Sequence, residues 1–344
     1  MGFNFPNSPS LGQSYSPAGG YQYVWDGTGW RVVEAPQLRA TAQARNRIVN
    51  GAMQISQETG GVDTSVAHFP ADQWGLYFQG TGMTCTAGRF GTNSKYIRLY
   101  NNAIKSGLAA GDVAIFYQYV EGTRIADFYW GTPYAGQAIL SFSAWASVTG
   151  TYGLSITNRP ATRSYVRNLP LVANVTKRFD IVIPGDTAGT WATDNSAGLS
   201  IQVAHAAHSA QLAPTEGWHN DGTYRGVTGM SNGMATLNAS LSLADVGLYF
   251  DPDNTGLPPK WETPDEAEEL RACQRYYYKT PTAMPVPPPA TPASLLVQFK
   301  TSMRAIPAVT GGGAGFATSS GNNDWIQVNQ TTLAYQSLIF NARM

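Results

Sequence analysis

Apolar and polar residues alternate along several short stretches in the middle of the chain. The alternation is clearest in four stretches, which are 113–119, 140–146, 179–183 and 199–203. A period of two places successive side chains on opposite faces of a β-strand. Strands with one apolar and one polar face are typical of an antiparallel sandwich, whereas parallel α/β folds have long helical patterns between their strands. The pattern therefore predicts an all-β fold built from antiparallel sheets.

Aromatic residues at period two mark a separate unit near the beginning of the chain. In the stretch GYQYVWDGTGWRVV at 20–33, Tyr21, Tyr23 and Trp25 precede an Asp-Gly-Thr-Gly turn, and Trp30 follows it. This pattern predicts a β-hairpin with a loop of about four residues. Because an isolated hairpin is only marginally stable in water, we expect its aromatic side chains to pack against something else, such as a partner chain.

One stretch, ETPDEAEELRAC at 262–273, has the features of a helix start. Thr263 suits the N-cap, Pro264 suits the first helical position, and Glu266 completes a capping box. These features predict a helix over 263–274.

Composition narrows the classes of function. A chain of 344 residues corresponds to about two domains. Charged residues are only 13% of the chain, and 22 basic residues balance 22 acidic ones. A nucleic-acid partner is excluded because binding one requires a concentrated excess of Lys and Arg. The 12% of aromatic residues, with 36 Gly and 21 Pro, fit short strands joined by turns.

Targeting signals and thiol chemistry add little. The first ten residues, MGFNFPNSPS, lack the basic segment and the following apolar segment of a secretory signal peptide. No apolar run approaches the ~18 residues of a membrane-spanning helix. We expect synthesis in a cytoplasm and no membrane insertion.

Cys85 and Cys273 form no CxxC motif, so we expect free buried thiols. No base or acid is placed to activate Cys273, which we interpret as a small apolar residue between the helix and the sandwich.

Catalytic motifs are scarce. The chain has 4 His without zinc-site spacing, and it has no nucleophile elbow, P-loop or dinucleotide fingerprint. Hydrolysis of glycans needs two facing carboxylates, and nothing in the sequence pairs Asp127, Asp186, Asp194 or Asp324. We therefore expect no cofactor and no enzymatic activity.

One stretch resembles a calcium loop. DPDNTGLPPKWE at 251–262 places Asp251, Asp253, Thr255 and Glu262 at positions 1, 3, 5 and 12 of an EF-hand-like loop. The preceding DVGLYF is typical of a strand, and two prolines interrupt the second half. The sequence therefore favours a turn followed by a helix cap, with a calcium site as the alternative.

Ligand binding is chemically easier to supply than catalysis. Sugar rings pack their CH faces on aromatic side chains, while amides and carboxylates bind the hydroxyls. Candidates in loop-like stretches are Trp130, Tyr134, Trp191, Trp218, Asn323, Asp324 and Trp325. For each aromatic residue the alternative is a place in the core or in an interface.

Several stretches together resemble bacteriophage tail-fibre and receptor-binding proteins. NRIVNGAMQISQ at 46–57, ADQWGLYFQG at 71–80 and ETPDEAEELRACQRYYYK at 262–279 are similar to the entry strand, the second strand, and the closing helix and strand of their jelly-roll domain. FNFPNSPSLGQSY at 3–15 is similar to a segment that docks such fibres on the virion. The stretch FDPDNTG at 250–256 departs from the family, whose members often have a Glu-x-Gly turn there.

The resemblance implies an organisation and a function. It implies a virion-anchoring segment at 1–36 that contains the hairpin aromatics, a jelly-roll domain at 37–279 that includes the helix, and a C-terminal β region at 280–344. The last region is either a separate unit or a set of extra strands on the sandwich. The family also implies a homotrimer on the virion, docked to another virion protein, that attaches to a bacterial surface glycan or protein. The alternatives are a head-fibre, baseplate or connector protein without a receptor, and a glycan-degrading depolymerase.

Overall fold

A computed structural model of the chain describes residues 5–11, 13–15, 22–25, 27–34, 45–61, 68–92, 95–280, 284–286, 295–310, 317–329, 334–336 and 338–344. Within these ranges the structure is mostly β, with one α-helix, α1, at Glu266–Gln274. The same ranges contain four short 3-10 helices, at Gly122–Arg124, Ala126–Phe128, Ser209–Gln211 and Gly233–Ala235. No helix in the described part of the chain is long and apolar enough to cross a membrane.

The N-terminal unit is a three-stranded sheet that contains the predicted hairpin. Its strands are β1 (Ser14–Tyr15), β2 (Gln22–Trp25) and β3 (Trp30–Glu34). Trp25 lies opposite Trp30 across the turn.

The aromatic side chains of this unit pack on one another. The Phe5 ring stacks on Trp30 at 5.4 Å and meets the edge of Tyr23 at 4.9 Å. Tyr23 is buried, so contact within the unit accounts for part of the aromatic surface that the sequence assigns to a partner. Tyr21 lies outside the described residues.

Two large sheets form the centre of the fold. The six-stranded sheet has the spatial order β14 (Gly217–His219), β10 (Ser164–Leu171), β9 (Gly150–Asn158), β12 (Ala197–Ala207), β7 (Val113–Glu121) and β4 (Gly75–Gln79). The five-stranded sheet has the order β11 (Lys177–Ile183), β8 (Gln137–Ala146), β16 (Ser240–Asp251), β6 (Tyr96–Asn101) and β5 (Cys85–Phe90). Neighbouring strands are antiparallel in both sheets. The predicted all-β, antiparallel jelly-roll class is confirmed, and each of the four alternating stretches lies in a strand.

The inner faces of the two sheets pack together and form the main hydrophobic core. Phe116 and Ile156 of one sheet, and Leu140 and Phe142 of the other, are each no more than 1% exposed. Cys85 belongs to this core, and both cysteines of the chain are free and buried, as expected.

The outer face of the six-stranded sheet is covered. The segment 208–231, which contains the short parallel strands β13 (Leu212–Ala213) and β15 (Gly226–Val227), contributes to the apolar clusters on this face. The Ser155 hydroxyl donates to the main-chain oxygen of Tyr224 at 2.7 Å. As a result every residue of β12 is buried. The expectation of one polar, solvated face per strand is wrong for this strand, because the sequence pattern cannot show a distant segment folding over it.

Helix α1 begins later than the sequence predicts. Its N-cap is Asp265, whose carboxylate accepts hydrogen bonds from the main-chain N–H groups of Ala267 and Glu268 at 3.0 and 3.1 Å. Thr263 and Pro264 therefore precede the helix. Both Thr and Asp favour the N-cap, and an Asp two residues further on can cap the helix equally well.

The C-terminal part forms three small sheets with their own core. The strands are β17 (Tyr277–Lys279), β18 (Met284–Val286), β19 (Leu295–Gln298), β20 (Ala308–Thr310), β21 (Ala317–Gly321), β22 (Trp325–Asn329), β23 (Ala334–Gln336) and β24 (Ile339–Asn341). In the described residues these strands pair with one another and not with the two large sheets. Strand β24 pairs with β17, so the end of the chain returns beside α1.

Candidate functional site

Three of the tryptophans that the sequence proposes for ligand binding meet in one cluster. The rings of Trp130 and Trp191 lie 4.8 Å apart, and Trp218 lies 5.4 and 5.7 Å from them, all edge to face. Trp130 and Trp191 are only 5% and 7% exposed, while Trp218 is half-buried. The geometry therefore gives Trp130 and Trp191 the alternative role, that of core aromatics.

This tryptophan cluster lies beneath an exposed loop. Trp130 Nε1 donates to the main-chain oxygen of Gly136 at 2.8 Å. The Gly131 N–H donates to the main-chain oxygen of Asp186 at 2.7 Å. Above these contacts, Tyr134 is 82% exposed and Tyr129 is 56% exposed. Tyr134 thus stays accessible to a ligand, and so does Tyr129 on the same loop, which the sequence pattern does not single out.

The C-terminal candidates are engaged in the local fold. The main-chain oxygen of Asn323 accepts from the Met303 N–H at 2.7 Å, and that of Asp324 accepts from the Phe299 N–H at 2.8 Å. The Asp324 carboxylate also accepts a hydrogen bond from the Ser302 hydroxyl. Trp325 is partly exposed at the start of β22.

The calcium candidate forms a turn. Asp251 Oδ1 accepts from the N–H and hydroxyl of Thr255, each at 3.0 Å, and Oδ2 accepts from the Gly256 N–H at 2.8 Å. Burial alone would raise the pKa of Asp251, but these bonds outweigh it and lower the pKa. In the described residues no group of three His, Cys, Asp or Glu side chains could hold a metal ion. Asp253 and Glu262 are exposed, and turn formation accounts for Asp251.

The carboxylates considered for glycan hydrolysis also have local partners. Asp127 pairs with Arg47 at 2.7 Å, and Asp186 pairs with Arg163 at 2.5 Å. Asp194 accepts a hydrogen bond from the main-chain N–H of Ser196.

The two thiols are in surroundings that suppress reactivity. Burial raises the pKa of Cys85 to about 12. The pKa of Cys273 is also raised, first by burial and then by the nearby carboxylates of Asp72 and Glu269. A thiol with a raised pKa stays protonated at neutral pH, and the protonated form is a poor nucleophile.

A groove that the sequence analysis did not propose lies on the outer face of the five-stranded sheet. Its volume is about 260 Å³, and its lining includes Tyr96, Arg98, Ser143, Trp145, Ser242 and Ala244. We call it the Trp145 groove. Trp145 on β8, Ser242 on β16 and Arg98 on β6 are paired in register across three neighbouring strands. The small central residue leaves the space between the two larger ones.

Arg98 is held in place by aromatic rings. Its guanidinium carbon lies 4.6 Å from the ring centre of Trp145, 5.2 Å from that of Tyr96 and 5.5 Å from that of Phe90. Its Nε donates to the Ser242 hydroxyl at 3.0 Å, and Nη2 donates to the Tyr96 hydroxyl at 3.4 Å. Trp145 and Arg98 are both partly exposed, so the groove presents an indole and a cation to solvent.

The alternation of apolar and polar residues along β8 and β6 contains a sign of the Trp145 groove. Trp145 continues the polar series Ser141 and Ser143 along β8, and Arg98 occupies the outer face of β6 between Tyr96 and Tyr100. A tryptophan in a series of serines points to a specific role on the solvent side. The pairing of β8, β16 and β6 was needed to bring it near Arg98.

Comparison with known proteins gives structural neighbours. No family model and no curated protein matches the sequence. Tailspike protein 4 of bacteriophage CBA120, in its enzymatically active domain, is similar at 15% identity and a TM-score of 0.33, over 60% of this chain and 21% of that one. A CBM4 structure has 12% identity and a TM-score of 0.30, over 59% and 98% of the two chains. The family 11 carbohydrate-binding module of the Clostridium thermocellum cellulase Lic26A-Cel5E has 11% identity and a TM-score of 0.30, over 56% and 97%.

The chain thus spans about a fifth of the tailspike structure and nearly all of the two modules. Likeness at this level carries no residue roles across, so the function has to be inferred from the side chains of this chain.

Proposed function

We propose that the protein binds a carbohydrate of the bacterial surface, and that it does so as a phage tail-fibre protein. The observation that carries the binding proposal is the Trp145 groove, where a partly exposed indole stands beside a guanidinium group and two serine hydroxyls. Aromatic faces pack against the CH groups of sugars, and fixed polar groups bind their hydroxyls.

The size of the Trp145 groove suits a short part of a longer glycan. Its volume of about 260 Å³ is near the lower end of the ~300–1,000 Å³ usual for small-molecule sites. Contacts to one or two sugar units give weak binding at a single site. Three copies of the site on one fibre would raise the overall strength of attachment by several orders of magnitude without any new contact.

The tail-fibre role rests on the ordered series of sequence stretches at 46–57, 71–80 and 262–279. On this proposal the protein is a homotrimer on the virion, residues 1–36 dock it to another virion protein, and the sandwich faces the host. It is made in the host cytoplasm and attaches to the host without catalysing a reaction there. Tyr134 and Tyr129, on their loop, are available as a second contact to the receptor.

The experiment that tests the carbohydrate proposal is binding of the full chain to an array of bacterial surface polysaccharides. Trp145→Ala should abolish detectable binding. Trp325→Ala is the matched comparison, because it removes another partly exposed tryptophan, which the sequence pattern also proposes as a sugar contact, from the separate C-terminal sheets. Circular dichroism would check that both variants fold.

Three results are decisive. Loss with Trp145→Ala and retention with Trp325→Ala would support the groove as the site. Retention with Trp145→Ala would reject the groove. No binding of the unmodified chain to any polysaccharide would reject carbohydrate binding itself. The mass of the protein in solution, measured by light scattering, tests the trimer: a mass near three times 37.0 kDa is expected, and a clean monomer would contradict it.

A further inference from the structure

We infer that the Trp145 groove selects acidic glycans, and that Arg98 contacts the carboxylate of a uronic acid or similar sugar. This inference rests on the proposed carbohydrate binding and names the class of sugar. It comes from the charge of the groove and from the way in which Arg98 is held.

Arg98 differs in its partners from three other arginines of the chain. Arg47, Arg163 and Arg275 pair with a carboxylate at 2.5–2.7 Å. Within the described residues, Arg98 forms no such ion pair, and its partners are aromatic rings and two hydroxyl groups. A permanently charged guanidinium group at a groove, without a carboxylate of its own, is a site for an external anion.

The other residues in and around the Trp145 groove do not repel an anion. No Asp or Glu lines the groove in the described part of the chain. At its rim, Asp180 lies 3.8 Å from Arg178, so that acid is offset by a cation. Asp245 follows the lining residue Ala244, and Arg178 donates to its main-chain oxygen at 2.8 Å.

The lining of the Trp145 groove therefore carries a positive charge. Arg98 is the one charged residue among those that line it in the described part of the chain, and Arg178 stands beside both Asp180 and Asp245.

The aromatic rings orient Arg98 before the ligand arrives. Cation–π contacts with Trp145, Tyr96 and Phe90, together with the hydrogen bond from Nε to Ser242, hold the guanidinium plane. Nη1 has no hydrogen-bond partner among the described residues, and Nη2 makes only the long bond to Tyr96. A carboxylate can take hydrogen bonds from these two nitrogens, and little side-chain freedom is lost because the group is already fixed.

The floor of the Trp145 groove supplies contacts that do not depend on the charge of the sugar. Ser143 and Ser242 present hydroxyl groups beside the indole of Trp145. A uronic acid offers ring CH groups for the indole, hydroxyls for the serines and a carboxylate for Arg98. Its neutral counterpart offers only the first two. The contact between Arg98 and the carboxylate thus determines the class of sugar. Reducing the carboxyl group of the sugar removes this contact without changing the sugar ring.

The test uses bacterial capsular polysaccharides that contain uronic acids, each as the native polymer and as its carboxyl-reduced, neutral form. Binding of the full chain is measured to both members of each pair by biolayer interferometry. We expect at least roughly tenfold tighter binding to a native polymer than to its reduced form, the effect of one charge-assisted contact. Because the contact lies at a partly exposed groove, rising salt should weaken binding to the native form.

Two variants assign the effect to Arg98. Arg98→Gln should bring native and reduced polymers to similar affinity. Arg98→Lys keeps the charge without the planar fork and should retain part of the preference. Lys177→Gln is the control, because it removes a cation whose ammonium group lies outside the groove and donates to the main-chain oxygen of Pro170.

The outcomes separate the two proposals. Equal affinity of the unmodified chain for native and reduced polymers would overturn the acidic-glycan inference and leave carbohydrate binding intact. A preference for native polymers that survives Arg98→Gln would overturn the assignment to Arg98. Absence of binding to both forms of every polymer, and to neutral bacterial polysaccharides, would overturn the proposed function.

Discussion

The guanidinium carbon of Arg98 lies 4.6 Å from the centre of the Trp145 ring, although 46 residues stand between the two in the chain. Strand β16 lies between their strands, and its Ser242 is in register with both. A short side chain on the central strand lets the arginine reach the indole, and its hydroxyl accepts the Nε–H. The contact therefore depends on three strands and on one small residue.

We expect Arg98 and Trp145 to stabilise the fold jointly. A cation–π contact at a partly exposed site is worth ~0.5–1 kcal/mol. The free energy of unfolding is measured with urea for the double variant Arg98→Gln with Trp145→Ala and for the two single variants. The loss in the double variant should be smaller than the sum of the two single losses by the energy of this contact. Arg98→Gln with Trp325→Ala should be additive. Additivity in the first pair would show that the contact carries no energy.

A partly buried ion pair explains the polar residues that follow helix α1. Arg275 Nη2 donates to Glu121 Oε1 at 2.7 Å, and the Tyr276 hydroxyl donates to Oε2 at 2.8 Å. Burial by itself would raise the pKa of Glu121, but the bonds from Arg275 and Tyr276 outweigh it and lower the pKa. The run Cys-Gln-Arg-Tyr-Tyr-Tyr thus joins the helix to strand β7 rather than forming a reactive centre.

Glu121→Gln should destabilise the protein by about 2 kcal/mol. The expectation lies between the ~3–5 kcal/mol of breaking a fully buried pair and the ~0–1 kcal/mol of a surface pair, because Arg275 is partly exposed. Since the folded pKa of Glu121 is lowered, its contribution is present above the unfolded pKa and disappears as pH falls through the folded one. Urea unfolding at pH 7 measures the loss. Glu216→Gln, at the exposed pair with Arg167, should cost less than ~1 kcal/mol, and equal losses for the two would contradict the prediction.

The two candidate caps of α1 can be told apart directly. Asp265→Ala should cost about 1 kcal/mol, because it leaves the N–H groups of Ala267 and Glu268 without their acceptor. Thr263→Ala, outside the helix, should change the free energy of unfolding by less than ~0.5 kcal/mol. Thermal unfolding of both variants compares them. A larger loss for Thr263→Ala would place the cap where the sequence alone suggests it.

Sequence pattern was sufficient for the strands and the hairpin, because alternation and turn residues are local. It located β7, β8, β11 and β12, and it placed Trp25 and Trp30 on either side of the hairpin turn, where the structure pairs them. It misplaced the helix start by two residues, because Thr263 and Asp265 are both good caps.

The site was harder to infer, because exposure and neighbours depend on the whole sheet. Trp130 and Trp191 follow loop-like sequence yet lie in the core, while Trp145 lies in a strand yet faces the groove. Arg98 is brought to Trp145 by strand pairing, and a single sequence contains no sign of that pairing.

The last prediction concerns pH. His205 on β12 is fully buried, and its ring stacks on Tyr152 at 5.9 Å. Burial lowers the pKa of His205 to about 4, and the main chain of Gly233 opposes this only in part. In the unfolded chain a histidine has a pKa of ~6.5. Between these values the unfolded state binds a proton that the folded state does not, so stability is intact above pH ~6.5 and declines as pH falls toward 4.

The loss should reach roughly 3 kcal/mol at pH 4 for this residue alone, with other titrating groups superimposed on it. His205→Leu removes the titration and tests it. We expect the free energy of unfolding of the variant, minus that of the unmodified protein, to rise as the pH is lowered from 7 to 4.5. Parallel pH profiles for His205→Leu and the unmodified protein would mean that His205 is protonated in the folded state, and that water or a rearranged main chain reaches its ring.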